Sequence, residues 1–177
     1  MKILAQDFFD FECAVFIAGG IGVTTASGLL KSVLYKYRRN SPMLLRKIYF
    51  IWISRDKMEF EWFRLLLEEI YTQIPRSFLE IKIFLTEKLS IDEVYNISIR
   101  SQDELDPITE SKILCYYGRP NWFLLFKEFG SIFNGTLARQ RVGVFYCGPK
   151  SLAEELNVLC TKNSNDMLKF VFRKEND

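Results

Sequence analysis

The segment Gly19-Gly-Ile-Gly-Val-Thr-Thr25 has the residue types that could hold a phosphate. Gly19, Gly20 and Gly22 let a main chain approach an anion closely, and Thr24 and Thr25 add hydroxyl donors. The flanks suit that chemistry. Cys13 to Ala18 is a short, branched apolar run with the length of a buried strand. After the turn, Leu29, Leu30, Val33, Leu34 and Tyr37 recur at helical spacing. Strand, glycine turn and helix together aim backbone N–H groups and the positive end of a helix dipole at one point, with Ile21 and Val23 completing the turn. The pattern is Gly20-x-Gly22-x-x-Thr25, so the third glycine of the common dinucleotide fingerprint is absent. No ribose-binding acid stands at the usual offset, where Lys36, Tyr37, Arg38 and Arg39 are found instead. A tight strand-to-helix turn with no ligand therefore stays open as the plainer alternative.

Three other clusters carry functional groups. Ser54-Arg55 follows a second apolar run, Lys47 to Ser54. An arginine and a hydroxyl where an adenosine ribose would lie favour a 2′-phosphate, since guanidinium matches phosphate bidentately. An acid there would favour the unphosphorylated nucleotide, and Asp56 stands one residue further on. Gly118-Arg119-Pro120 supplies a second arginine. Cys147-Gly148-Pro149 ends another apolar run. There the cysteine either holds a nicotinamide ring for hydride transfer or is an ordinary buried strand thiol.

Composition removes several alternatives. The chain has 177 residues and no histidine, which excludes Ser-His-Asp and Cys-His nucleophiles and histidine-ligated metal within it. A net charge of +2 is too small to argue for nucleic acid. No apolar run approaches the roughly 20 residues of a membrane span, and the start lacks the apolar core of a signal peptide. The cysteines at 13, 115, 147 and 160 have no CxxC spacing and read as reduced thiols of a soluble, cytosolic chain.

The elements that must position these groups alternate. Strands are expected at 13–18, 47–54, 78–86, 141–147 and 167–173, with helices at 22–38, 58–73, 121–133 and 151–160. That alternation predicts an α/β fold: an open parallel sheet of about five strands with helices on both faces. Its ligand edge lies beyond the carboxyl ends of the strands, where all four clusters fall. Residues 1–12 read as a frayed end. Residues 87–114, with Ser90-Ile-Asp-Glu and Ser101-Gln-Asp-Glu-Leu-Asp-Pro, read as an irregular, mobile insertion in a single domain spanning 1–177. Trp52, Trp62, Tyr49 and Phe50 read as core, whereas for Trp122 a structural position and a flank for an adenine both stay open.

Taken together, Gly19-Gly-Ile-Gly-Val-Thr24, Trp52-Ile-Ser-Arg-Asp56 with Phe60-Glu-Trp-Phe63, Tyr117-Gly-Arg-Pro-Asn-Trp122, Val144-Phe-Tyr-Cys-Gly-Pro149 and Phe170-Val-Phe-Arg-Lys-Glu-Asn176 resemble the NADPH-binding lobe of the NADPH oxidases. These belong to the ferredoxin–NADP reductase superfamily and have Rossmann-like nucleotide lobes. The resemblance covers nearly the whole chain in order. It implies a parent oxidoreductase at a membrane, with this lobe on the cytosolic face, that passes hydride from NADPH to FAD and electrons through haem to oxygen, giving superoxide. It implies that Gly20, Gly22, Val23 and Thr24 hold the pyrophosphate, that Arg55 and Arg119 hold the 2′-phosphate, and that Cys147, Gly148 and Pro149 meet the nicotinamide. The flavin-binding barrel and the haem domain would be partners supplied elsewhere in the parent, and the isolated lobe would bind NADPH without turning over. Two departures stand out: Thr25 replaces a usual proline, which predicts a looser phosphate turn, and Asp177 stands where the family closes on an aromatic. Two alternatives keep the fold but change the role. One is the equivalent lobe of a ferric or other metalloreductase. The other is a non-catalytic docking module that recruits cytosolic regulatory subunits through 87–114.

Overall fold

The computed structural model describes residues 7–98, 105–106, 108–113, 115–133 and 139–175. Six strands form one sheet: β1 (Cys13–Gly19), β2 (Lys47–Ser54), β3 (Leu79–Leu85), β4 (Cys115–Tyr117), β5 (Gln140–Cys147) and β6 (Leu168–Lys174). Every pairing is parallel, in the order β4-β3-β2-β1-β5-β6. Parallel neighbours need a crossover between them, and helices supply it. These are α1 (Val23–Arg38), α2 (Lys57–Gln73), α3 (Ile91–Ser98), α4 (Trp122–Phe133) and α5 (Lys150–Asn163). The chain winds outward from β1 to β4, then crosses back to β5 on the other side of β1.

Strand alternation divides the interior into two layers. Ala14, Phe16 and Ala18 join Ile48, Phe50 and Trp52 beneath α1 and α2, where Leu30, Val33, Phe60 and Leu67 close the layer. Cys13, Val15 and Ile17 join Tyr49 and Ile51 beneath α4 and α5, where Phe126, Phe129 and Leu156 close it. Both faces of the inner strands are covered, which is why they read as unbroken apolar runs rather than alternating ones. Lys82 is the exception within β3. It is 6% exposed, and its ammonium meets both carboxylate oxygens of Glu128 on α4 at 2.6 and 2.7 Å.

Three expectations are corrected. The sheet has six strands rather than about five, because Cys115–Tyr117 adds a short edge strand beside β3. The stretch 87–114 contains the helix α3, started by a capping box: the Ser90 hydroxyl accepts from the Glu93 amide at 3.2 Å, and the Glu93 carboxylate accepts from the Ser90 amide at 2.8 Å. Donation from the Ser90 amide, and then from its side chain, holds the Glu93 carboxyl below its ordinary range. Most of the Ser101–Pro107 run lies outside the described residues, as do 1–6 and Asp177. Finally, the described part of the first twelve residues is not frayed. Phe8 and Phe11 are buried, and both rings pack edge-on to Phe145, at 5.1 and 5.7 Å between centroids.

The Lys82–Glu128 pair gives a stability test. Lys82→Met strands a carboxylate that is only one-third exposed, and an expected loss of about 2–3 kcal/mol follows, near the low end for breaking a buried pair. Lys82→Met combined with Glu128→Leu should regain most of it. Urea unfolding of the three proteins measures both.

Candidate functional site

β1 has β2 on one side and β5 on the other, and the winding of the sheet reverses between β1 and β5. Helices that follow neighbouring strands diverge at such a reversal and leave a crevice beyond the strand ends. The glycine turn fills the base of it. Gly20–Gly22 form one turn of 3-10 helix, entered through Gly20 at φ 52°, a left-handed conformation that side chains disfavour. Gly22 is required for another reason. A Cβ there would lie 2.3 Å from the Cys147 carbonyl oxygen and 3.1 Å from its Sγ. The turn after β1 therefore rests directly on the end of β5.

α1 starts at Val23 with Gly22 as its N-cap. No side chain caps it, and no acid occupies its first turn. α2 makes the contrast: Asp56 caps it, accepting from the Met58 amide at 2.7 Å, and Glu59 lies in its first turn. α1 thus begins at the crevice edge, where Val23 and Thr24 are lining residues, with no side-chain cap hydrogen bond at its N-cap. The helix forms with threonine at position 25.

On the β5 side, Cys147 is buried, at 7% exposure. The Tyr146 hydroxyl donates to the Pro149 carbonyl at 3.0 Å, and burial, with the Cys147 side chain beside it, pushes that hydroxyl up to about 12, so it stays a proton donor. A Cβ on Gly19 would touch Pro149 Cδ at 3.1 Å. Two sequence clusters far apart in the chain, Gly19–Thr25 and Cys147–Pro149, are brought into contact.

The other two clusters sit on the opposite flank. Ser54 ends β2 and is fully buried. Its hydroxyl lies 2.5 Å from Glu59 Oε2 and 2.8 Å from the Asp56 carbonyl. The hydroxyl offered to a ligand by the sequence reading is therefore turned inward, and Asp56 is spent on the α2 cap. Arg55 is exposed and has no hydrogen bond or ion pair among the described residues, and the same holds for Arg119. Gly118, before it, extends β4 by donating to the Leu85 carbonyl at 2.7 Å, and Pro120 follows half-buried. β2 and β4 flank β3, so the two arginines start from strand ends about 10 Å apart. Between the glycine turn and α2 lies a crevice of about 330 Å³, lined by Gly20, Val23, Thr24, Met58, Glu59, Trp62 and Phe63.

One aromatic assignment reverses and one open alternative closes. Trp62 is 87% exposed and forms crevice wall rather than core. Trp122, offered as an adenine flank, is buried beneath α4 with Leu125 and Phe126. Met58, Glu59 and Trp62 are the lining groups that sequence reasoning passed over. For Met58 and Trp62 the signal was helical phase: with Leu65 they share the stripe of α2 opposite Phe60, Leu67 and Ile70.

A family model described as the ferric reductase NAD binding domain matches residues 11–161. The chain is 38% identical over 159 residues to NADPH oxidase 3 of Homo sapiens, covering 87% of this chain and 27% of that protein. It is 33% identical over 175 residues to a superoxide-generating NADPH oxidase heavy chain of Dictyostelium discoideum, covering 97% and 33%. It is 33% identical over 180 residues to NADPH oxidase 1 of Mus musculus, covering 97% and 30%. The chain thus spans a third or less of the length of these relatives.

Gly22→Ala tests the contact between turn and strand. Alanine suits the backbone there, so any loss is steric, and overpacking of about 1–3 kcal/mol is expected in urea unfolding. Gly28→Ala, with nothing within 4 Å of the added carbon in α1, serves as the control and should stabilise by about 0.4–1 kcal/mol.

Proposed function

The chain belongs to the ferric reductase NAD binding domain family, and on that premise we propose that it is the NADPH-binding lobe of a membrane NADPH oxidase, one domain of a longer parent. In this reading NADPH supplies hydride to FAD, and electrons pass on through haem to oxygen, giving superoxide. Residues of this chain do the binding and orienting. The amides from Gly20 to Thr25 receive the pyrophosphate at the uncapped start of α1. Arg55 and Arg119 clamp the 2′-phosphate. Cys147, Gly148 and Pro149 form the floor on which the nicotinamide is held, beside the glycine turn that packs against the Cys147 carbonyl.

The observation that carries the reading is the pair of exposed guanidiniums at the ends of β2 and β4, without partners among the described residues. Two such cations on the flank away from β5 suit a ligand with a phosphate at that end, which distinguishes NADPH from NADH.

The redox groups of the parent fit outside this chain. It contains no histidine to ligate haem iron. No helix among the described residues is long and apolar enough to cross a membrane. The metalloreductase alternative uses the same nucleotide chemistry and differs in the electron acceptor, and the names of the relatives favour the oxidase.

Calorimetric titration of this chain with NADPH and NADH, with Arg55→Ala and Arg119→Ala beside it, tests the assignment. NADPH should bind more tightly, and each arginine lost should weaken it about tenfold or more while changing NADH little. Equal effects on both nucleotides would remove the arginines from the 2′-phosphate.

A further inference from the structure

The end of β2 carries an acid after all, delivered from five residues down the chain. In doubly wound sheets, a carboxylate at this strand end accepts from the ribose 2′-hydroxyl of an unphosphorylated nucleotide. Here the strand ends in Ser54-Arg55, but α2 folds back so that Glu59 Oε2 lies 2.5 Å from the Ser54 hydroxyl. Glu59 is also among the residues that line the crevice, with Gly20, Val23, Thr24, Met58, Trp62 and Phe63. Among the described residues it is the one acid in that lining. No cation lies within ion-pair distance of it among the described residues, Arg55 included. Ser54 engages one of its two oxygens, which leaves the other with acceptor capacity.

Resting on the nucleotide-lobe reading above, we infer that Glu59 is a specificity-determining residue of the same site. It accepts from the ribose 2′-hydroxyl of NADH and repels the 2′-phosphate of NADPH. Arg55 and Arg119 pull selectivity toward NADPH, and Glu59 pulls it back, so the substrate class of this lobe includes both reduced nucleotides. Fixed opposite charges at one subsite are how such a preference is set by difference rather than by a single strong contact. The repulsion acts over a few ångströms at a partly exposed site, so salt should weaken it.

The test is calorimetric titration of the chain and of Glu59→Gln with NADPH and with NADH, at low and high salt. Glutamine keeps an acceptor for Ser54 and removes the charge. NADPH affinity should rise about fivefold to tenfold at low salt and less at high salt, while NADH affinity should fall about threefold to tenfold. Glu59→Asp retains the charge on a shorter side chain and should keep more of the NADH affinity than Glu59→Gln does. Both nucleotides shifting together, or neither shifting, overturns the role of Glu59 while leaving the arginine assignment in place. Absence of binding by either nucleotide, in the chain and in Glu59→Gln alike, overturns the site reading and this inference with it.

Discussion

Residue 22 has no side chain, and the geometry of the ligand edge follows from that. Any Cβ there would sit 2.3 Å from the Cys147 carbonyl oxygen, well inside contact distance. With glycine, the turn after β1 settles on the end of β5, at the point where the sheet reverses its winding. α1 then starts against the crevice with no side-chain cap hydrogen bond at Gly22. The β5 side is closed by Cys147 and the Tyr146–Pro149 hydrogen bond, while the β2 side stays open toward α2. One steric allowance thus sets the positions of the glycine turn, the strand end beyond it and the crevice beside it.

The protein separates its charges accordingly. Inside, Lys82 is matched to Glu128, and the remaining interior of both layers is largely apolar. At the carboxyl edge, Arg55 and Arg119 have no ion pair among the described residues. A stability requirement would pair such groups or leave them scattered. Two on strand ends one strand apart, on the edge where α1 begins, suit a ligand. Asp56 and Ser54, adjacent in sequence, are instead consumed in building the β2–α2 connection.

Much of this was legible because period and punctuation coincide. Buried strands such as Lys47–Ser54 are apolar runs bounded by polar turns, and α1 and α2 show their buried stripes directly. The turn at Gly19–Gly22 was readable because only glycine tolerates such approach. β4 was missed because three residues carry no period. α3 was missed although Ser90-Ile-Asp-Glu is a capping-box pattern, since its polar surroundings suggested loop. Trp62 was misread as core because size argues for burial, whereas helical phase decides it. Glu59 lay outside any local pattern: its carboxylate reaches the β2 end through a hydrogen bond, which sequence offsets do not display.

The most direct measurement is a nuclear magnetic resonance titration of backbone amides with NADPH. If the glycine turn is an anion cradle at the reversal of the sheet, the largest shifts fall on Gly20 to Thr25, with further shifts at Arg55, Arg119 and Cys147–Gly148. The amides of α5 beyond its first turn should stay still. Shifts spread over α4 and α5 with the glycine turn unmoved, or no shift at millimolar NADPH, would contradict the account.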